Sequence, residues 1–104
     1  MKRMLAVALV VGLAGFATIA TAASTHTVAI DGTAYVPRTI KVKRGDSVVW
    51  TNKDPFPHTV TAAGAFDSKE IAAGRTWKLV TSSVGEFAYT CTFHPNMKGV
   101  LIVE

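Results

Sequence analysis

Cysteine is almost absent from this chain, because Cys91 is the only one among 104 residues. A single thiol cannot form a disulfide within its own chain, which excludes a fold held together by disulfides. In an exported protein such a leftover thiol must be buried, reactive, engaged with a second copy or bound to a metal. We therefore look in the rest of the sequence for groups that could engage the Cys91 thiol.

A concentrated positive charge is also lacking. The chain has 11 Lys and Arg against 7 Asp and Glu, a formal net charge of +4. Without Lys2 and Arg3 the charge falls to about +2, and the remaining basic residues are scattered along the sequence. A nucleic-acid-binding surface needs a clustered positive footprint. Nucleic acid is therefore excluded as a partner.

The one long apolar run lies at the N-terminus. Met1-Lys2-Arg3 is a short basic start, and the residues from Leu5 to Ala22 are almost all apolar or small. Ala20-Thr21-Ala22 matches an A-x-A cleavage site. These features predict a signal peptide over residues 1–22, cleaved after Ala22 or Ala23.

An uncleaved membrane anchor is the alternative, and the Gly and Thr residues inside the apolar run disfavour it. We therefore expect export to the periplasm with no stable membrane insertion after cleavage. The remaining residues, 23–104, are enough for one domain. A domain of that size often needs a metal or a disulfide to support its core.

Sustained helical periodicity is missing from His26 onward. Short runs of Val, Ile, Thr and aromatic residues alternate with Gly, Pro, Asn and Asp, a texture typical of an all-β sandwich or barrel. The segment Ala62–Ala73 is interpreted as a loop with a short irregular strand around Glu70-Ile71. We predict a single β-sandwich with main strands at His26–Ile30, Thr39–Lys43, Ser47–Thr51, Arg75–Thr81, Glu86–Cys91 and Gly99–Val103.

Three metal-binding side chains lie close together near the end of the chain. Cys91, His94 and Met97 have the spacing C-x2-H-x2-M within one predicted loop. Soft thiolate and thioether ligands select copper, and two His with one Cys and a weak axial Met form the blue-copper arrangement. His58, which follows Pro57 at the start of a predicted strand, is the natural second histidine.

Other chemistries use part of this set. A Cys–His hydrolase would take Cys91 as its nucleophile, and a structural zinc site would take Cys and His ligands, but both leave Met97 without a role. A copper carrier or chaperone would use all of these residues for metal exchange. A lone Cys, finally, is often only a small buried hydrophobic residue.

Two segments resemble the cupredoxin family of small blue-copper proteins, in particular its amicyanin and plastocyanin branches. They are Cys91-Thr92-Phe93-His94-Pro95-Asn96-Met97 and the stretch from Asn52 to His58 with a proline before the histidine. The resemblance implies a cupredoxin-like Greek-key β-sandwich with one copper ion per monomer. It also implies an electron carrier that is not an enzyme, with a periplasmic copper carrier or chaperone as the alternative.

The resemblance further implies roles for individual residues. His58, Cys91 and His94 would be the strong equatorial ligands, and Met97 the weak axial one. Asn52 and Thr92 would join the two ligand segments by hydrogen bonds.

His94 would be the exposed ligand that exchanges electrons with a partner. A docking patch is expected around it, although Phe56 and Phe93 could instead belong to the core. The expected partners are redox proteins, with an amine dehydrogenase as donor and a c-type cytochrome as acceptor by analogy, and the chain is expected to be a monomer. The patch comprises His94, Phe56, Pro57, Phe93 and Pro95.

Overall fold

The computed structural model describes residues 22–104 and places nine strands there. The strands are β1 Thr25–Ile30, β2 Tyr35–Val36, β3 Thr39–Val42, β4 Ser47–Asn52, β5 Thr61–Ala62, β6 Phe66–Asp67, β7 Thr76–Val80, β8 Gly85–Cys91 and β9 His94–Val103. No helix capable of crossing a membrane is found in this described part. The predicted signal peptide lies outside it, except for Ala22.

The strands form two sheets. One has the order β2-β1-β4-β7 and the other β3-β9-β8-β5-β6. Within them β1 pairs in parallel with β4 and β3 in parallel with β9, whereas β8 and β9 are antiparallel. The chain crosses between the sheets at Pro37, which cannot donate a ladder hydrogen bond and so suits a strand end. The prediction of a single all-β sandwich is confirmed.

Aromatic side chains fill the centre of the sandwich. Trp50 is fully buried and meets Tyr89 edge-on, with ring centroids 5.6 Å apart, and Tyr89 meets Tyr35 at 4.7 Å. Trp50 Nε1 donates to the Tyr89 hydroxyl at 3.3 Å, and the Tyr35 hydroxyl donates to the Thr59 carbonyl at 2.6 Å. Their polar atoms are therefore satisfied, as buried Trp and Tyr require.

A close backbone approach explains the glycine in the middle of β9. Gly99 pairs with Tyr89 across the β8–β9 ladder, and the Tyr89 ring lies against it. A Cβ atom built on Gly99 would overlap that ring. Only glycine leaves enough space for the aromatic side chain here.

Some predicted segments differ from the structure. The segment Ala62–Ala73, predicted to be a loop, includes β6 and the last residue of β5, which together form a short hairpin. The strand expected around Glu70-Ile71 is a single bridge between Ile71 and His58. The last strand begins at His94, five residues before the predicted start at Gly99.

Candidate metal centre

The Cys91–Met97 segment is a tight hairpin and not the predicted loop. β8 ends at Cys91, β9 begins at His94, and Cys91 and His94 are register partners across the turn. The next regular pair is Thr90 with Lys98, so Pro95, Asn96 and Met97 bulge out of the ladder. Strand pairing therefore holds the thiol and one imidazole side by side, and the bulge carries the buried Met97.

His58 comes from a separate segment that is also held by its backbone. Its amide donates to the Ile71 carbonyl at 3.1 Å, and the Ile71 amide donates back to the His58 carbonyl at 2.7 Å. The side chain is fully buried. The backbone bonds consequently fix the position of the His58 Cα atom, and burial leaves the ring little freedom to rotate.

Two imidazoles converge on one sulfur. Nδ1 of His58 and Nδ1 of His94 each lie 3.7 Å from Sγ of Cys91. The three ligand atoms all lie within 4.8 Å of one another, close enough to share a metal ion. The amide of Thr59 also donates to Sγ at 3.3 Å, a contact of the kind that tunes a metal-bound thiolate.

The far side of the His58 ring faces a buried carboxylate. Oδ2 of Asp54 lies 2.7 Å from His58 Nε2, and the carboxylate also accepts hydrogen bonds from the amides of Gly32 and Thr33 at 2.8 and 2.9 Å. Burial alone would raise the pKa of Asp54, but the bonds from Thr33, Gly32 and His58 outweigh it and lower the pKa. An ionised acceptor beside Nε2 favours a proton on that nitrogen and a free lone pair on Nδ1.

Asn52 closes its own loop and does not reach Thr92. Its amide nitrogen donates to the carbonyls of Phe56 and Ile71 at 2.9 and 3.0 Å, and its oxygen accepts the Asp54 amide at 3.0 Å. These three bonds hold the segment that precedes His58 and connect it to Ile71.

Thr59 joins the segment of His58 to the segment of Cys91 through Thr92. Its hydroxyl oxygen accepts the Thr92 amide at 2.9 Å and lies 3.3 Å from the Thr92 hydroxyl. Sequence reasoning missed both Thr59 and Asp54. The available signals were a hydroxyl residue directly after His58 and an acidic residue four positions before it.

One exposed aromatic ring lies near His94, and a second belongs to the same hairpin. Phe56 is 41% exposed and Phe93 52% exposed, so the alternative that both belong to the core is wrong. The ring of Phe56 lies 5.9 Å from that of His94, which is itself half-buried. Pro57 is half-buried and Pro95 exposed.

Sequence comparison identifies the family. A profile described as a cupredoxin-like domain matches residues 3–103. The chain belongs to the cupredoxin-like family. Among curated relatives, this cupredoxin is 32% identical over 71 residues to amicyanin-alpha of Methylorubrum extorquens, covering 62% of this chain and 60% of that protein. It is 29% identical over 83 residues to amicyanin of Paracoccus versutus, covering 74% and 63%.

A chloroplastic plastocyanin of Tetradesmus obliquus is 33% identical over 84 residues, covering 67% of this cupredoxin and 58% of the plastocyanin. The chain thus spans about three fifths of the length of the curated relatives it matches.

Solved structures agree. A proline-to-alanine mutant of amicyanin in the oxidised state has a TM-score of 0.74 at 28% identity, covering 77% of this cupredoxin and 82% of that chain. A copper-containing nitrite reductase from Thermus scotoductus has a TM-score of 0.72 at 23% identity, covering 77% and 22%, and shares the fold alone. The family and the cluster of two histidines and a cysteine together establish one copper ion as the cofactor.

Proposed function

We propose that this cupredoxin is a periplasmic blue-copper electron carrier that passes single electrons between redox proteins and is not itself an enzyme. The observation that carries the proposal is the convergence of His58 Nδ1 and His94 Nδ1 on the Cys91 sulfur, each at 3.7 Å. With the buried thioether of Met97 nearby in sequence, the donor set is the one typical of blue-copper proteins.

Each ligand would have a distinct role. His58, Cys91 and His94 would hold the copper strongly, and Met97 would contribute a weak axial bond. When bound, copper supplies one-electron exchange between Cu(I) and Cu(II). The β8–β9 ladder and the bridge between His58 and Ile71 keep the protein donors in place. Such rigidity keeps the rearrangement that accompanies electron exchange small.

Electron exchange would take place at the edge of His94. His94 is half-buried, the exposed ring of Phe56 lies 5.9 Å from it, and the exposed Phe93 precedes it directly in the chain. An apolar patch lets a partner approach closely and excludes water from the contact. Pro57 and Pro95 would complete this docking patch.

The proposed partners follow from the likeness to amicyanins. An amine dehydrogenase would act as donor and a c-type cytochrome as acceptor, with the carrier working as a monomer. Asn52 and Thr92 would support the ligands, Asn52 by closing the loop before His58 and Thr92 through its bond to Thr59.

Copper loading of the purified protein tests the proposal. The Cu(II) form should be intensely blue through charge transfer from the Cys91 sulfur, and reduction should remove the colour. Cys91→Ala should be colourless, whereas Met97→Leu should stay blue because the axial bond is weak. A colourless wild-type Cu(II) form, or rapid loss of copper to a chelator, would contradict the proposal and favour a copper carrier or chaperone.

A further inference from the structure

A strained loop holds the carboxylate of Asp54. Gly32 and Thr33 are consecutive residues with φ of 62° and 58°, and both of their amides point at this carboxylate. A threonine in the left-handed region is strained, because its Cβ atom crowds the backbone there. Successive amides aimed at one anion form a backbone nest. The turn between β1 and β2 therefore adopts an unfavourable backbone conformation, and in this conformation its amides hold the Asp54 carboxylate in place.

Both oxygens of that carboxylate are in use. Oδ1 accepts the Gly32 amide, and Oδ2 accepts the Thr33 amide and lies 2.7 Å from His58 Nε2. Two backbone N–H groups and the Nε2 atom of His58 converge on a side chain that is only 7% exposed. A neutral amide in its place would turn an NH2 group towards at least one of these donors. The arrangement is suited to a carboxylate and to no isosteric neutral group.

The opposite edge of the same ring faces the cluster. His58 is fully buried, and its Nδ1 lies 3.7 Å from the Cys91 sulfur. Whatever holds Nε2 therefore decides which nitrogen carries the proton and where Nδ1 points. A carboxylate bound to the outer nitrogen of a metal-ligating histidine also makes the ring a stronger donor.

We propose that Asp54 is a positioning residue that fixes the tautomer of His58 and lowers the reduction potential of the bound copper. The second part rests on the proposed copper function, and the first stands on the metal-free protein. A more strongly donating ring stabilises Cu(II) more than Cu(I). The negative charge of the buried carboxylate acts in the same direction, since burial reduces screening by water.

Asp46 provides a matched control within the same chain. It is also buried, and it also accepts two backbone amides, from Ser24 at 2.9 Å and Lys43 at 3.1 Å, and pairs with a histidine Nε2, that of His26, at 2.9 Å. Asp46 precedes β4 and Asp54 follows it, and a strand of 6 residues spans roughly 20 Å. The two aspartates therefore have similar bonding at opposite ends of the sandwich.

The experiment compares wild type, Asp54→Asn, Asp54→Glu and Asp46→Asn. Redox titration gives the potential, and chelator competition gives the affinities for Cu(II) and Cu(I). Asp54→Asn should lose about 10- to 100-fold in Cu(II) affinity and less in Cu(I) affinity. Each tenfold difference between these losses raises the potential by about 59 mV. Asp54→Glu keeps the carboxylate, so its potential should rise less than that of Asp54→Asn. Asp46→Asn should leave the potential at the wild-type value.

Nitrogen NMR of the metal-free wild type tests the tautomer without any variant. His58 should carry its proton on Nε2, with slow exchange of that proton with solvent. A proton on Nδ1 would overturn the positioning role even if Asp54→Asn fails to fold. Equal potentials for Asp54→Asn and Asp46→Asn would overturn the tuning role. A colourless wild-type protein would instead reject the copper function, while the NMR result would still decide the role of Asp54 in the metal-free chain.

Discussion

The hydroxyl oxygen of Thr59 accepts a hydrogen bond of 2.9 Å from the backbone amide of Thr92. Thr59 directly follows His58, and Thr92 directly follows Cys91, so this bond fastens two ligand-bearing segments together. The amide of Thr59 adds a contact of 3.3 Å to the Cys91 sulfur. One small side chain and its backbone thus connect the segments that bring the cluster together.

Replacing Thr59 by valine should weaken this junction. The Thr92 amide loses its acceptor, so the free energy of unfolding of the metal-free protein should fall by about 1–2 kcal/mol. Urea denaturation measures this. Thr61→Val is the control, because the Thr61 hydroxyl bonds to Thr59 at 3.0 Å and to Asp67 at 3.1 Å nearer the surface. Equal losses in the two variants would show that the bond to Thr92 has no special weight.

A methyl group at Gly99 should disturb the core. Gly99→Ala places a Cβ atom against the Tyr89 ring, whose hydroxyl also receives a bond from Trp50. Overpacking of this kind costs about 1–3 kcal/mol, which guanidinium denaturation would detect. Lys98→Ala, an exposed position on the same strand, should change stability by less than about 0.5 kcal/mol. A fully stable Gly99→Ala would mean that the ring moves aside freely.

Acid should remove one source of stability at the end of the sandwich remote from the cluster. Hydrogen bonds from the Ser24 amide, from His26 and from the Lys43 amide lower the pKa of Asp46 from 3.8 to about 2. A carboxyl whose pKa is lowered by folding stabilises the fold above pH 3.8, and this contribution disappears as the pH falls towards 2. The Tm of wild type should therefore fall more steeply across this interval than that of Asp46→Asn.

Scanning calorimetry of the metal-free protein measures this difference. Glu86→Gln, which removes an exposed carboxylate from β8, serves as the control and should follow the wild-type curve. Parallel curves for wild type and Asp46→Asn would contradict the role of Asp46.

Shortening Phe93 should slow electron transfer without unfolding the protein. Its side chain is 52% exposed beside the cluster, so Phe93→Ala removes apolar docking surface and little core packing. Stopped-flow mixing of the copper-loaded protein with a c-type cytochrome should show a rate constant lower by about tenfold, as for loss of a contact of about 1.4 kcal/mol. Val84→Ala, at another exposed apolar residue (63% exposed), should keep the wild-type rate. Equal rates would remove Phe93 from the docking patch.

The alternation of residues was a sound guide to the fold. Phe87, Tyr89 and Cys91 share the inward face of β8, because a half-buried strand imposes a period of two on its sequence. The hairpin of β5 and β6 escaped prediction, since its strands contain 2 residues each and carry no period. The segment from Cys91 to Met97 was predicted to be a loop, but a bulge accommodates Pro95 inside a longer strand.

The residues of the cluster could be predicted where they lie close together in the sequence. The spacing of Cys91, His94 and Met97 can be read directly from the sequence, and the position of His58 after Pro57 pointed to the second histidine. Asp54 could not be found in this way, because its role depends on the amides of Gly32 and Thr33, 22 and 21 residues away. Such contacts exist only once two turns have been packed together.

The hairpin at Cys91 should tolerate inserted residues after His94 better than between Cys91 and His94. Cys91 and His94 are register partners, so an inserted residue between them would rotate one side chain to the opposite face of the sheet. Pro95, Asn96 and Met97 already stand outside the ladder, and a residue added there enlarges the bulge while the pairing of Thr90 with Lys98 persists. Chimeras that exchange loops between related proteins should therefore place their junctions after His94.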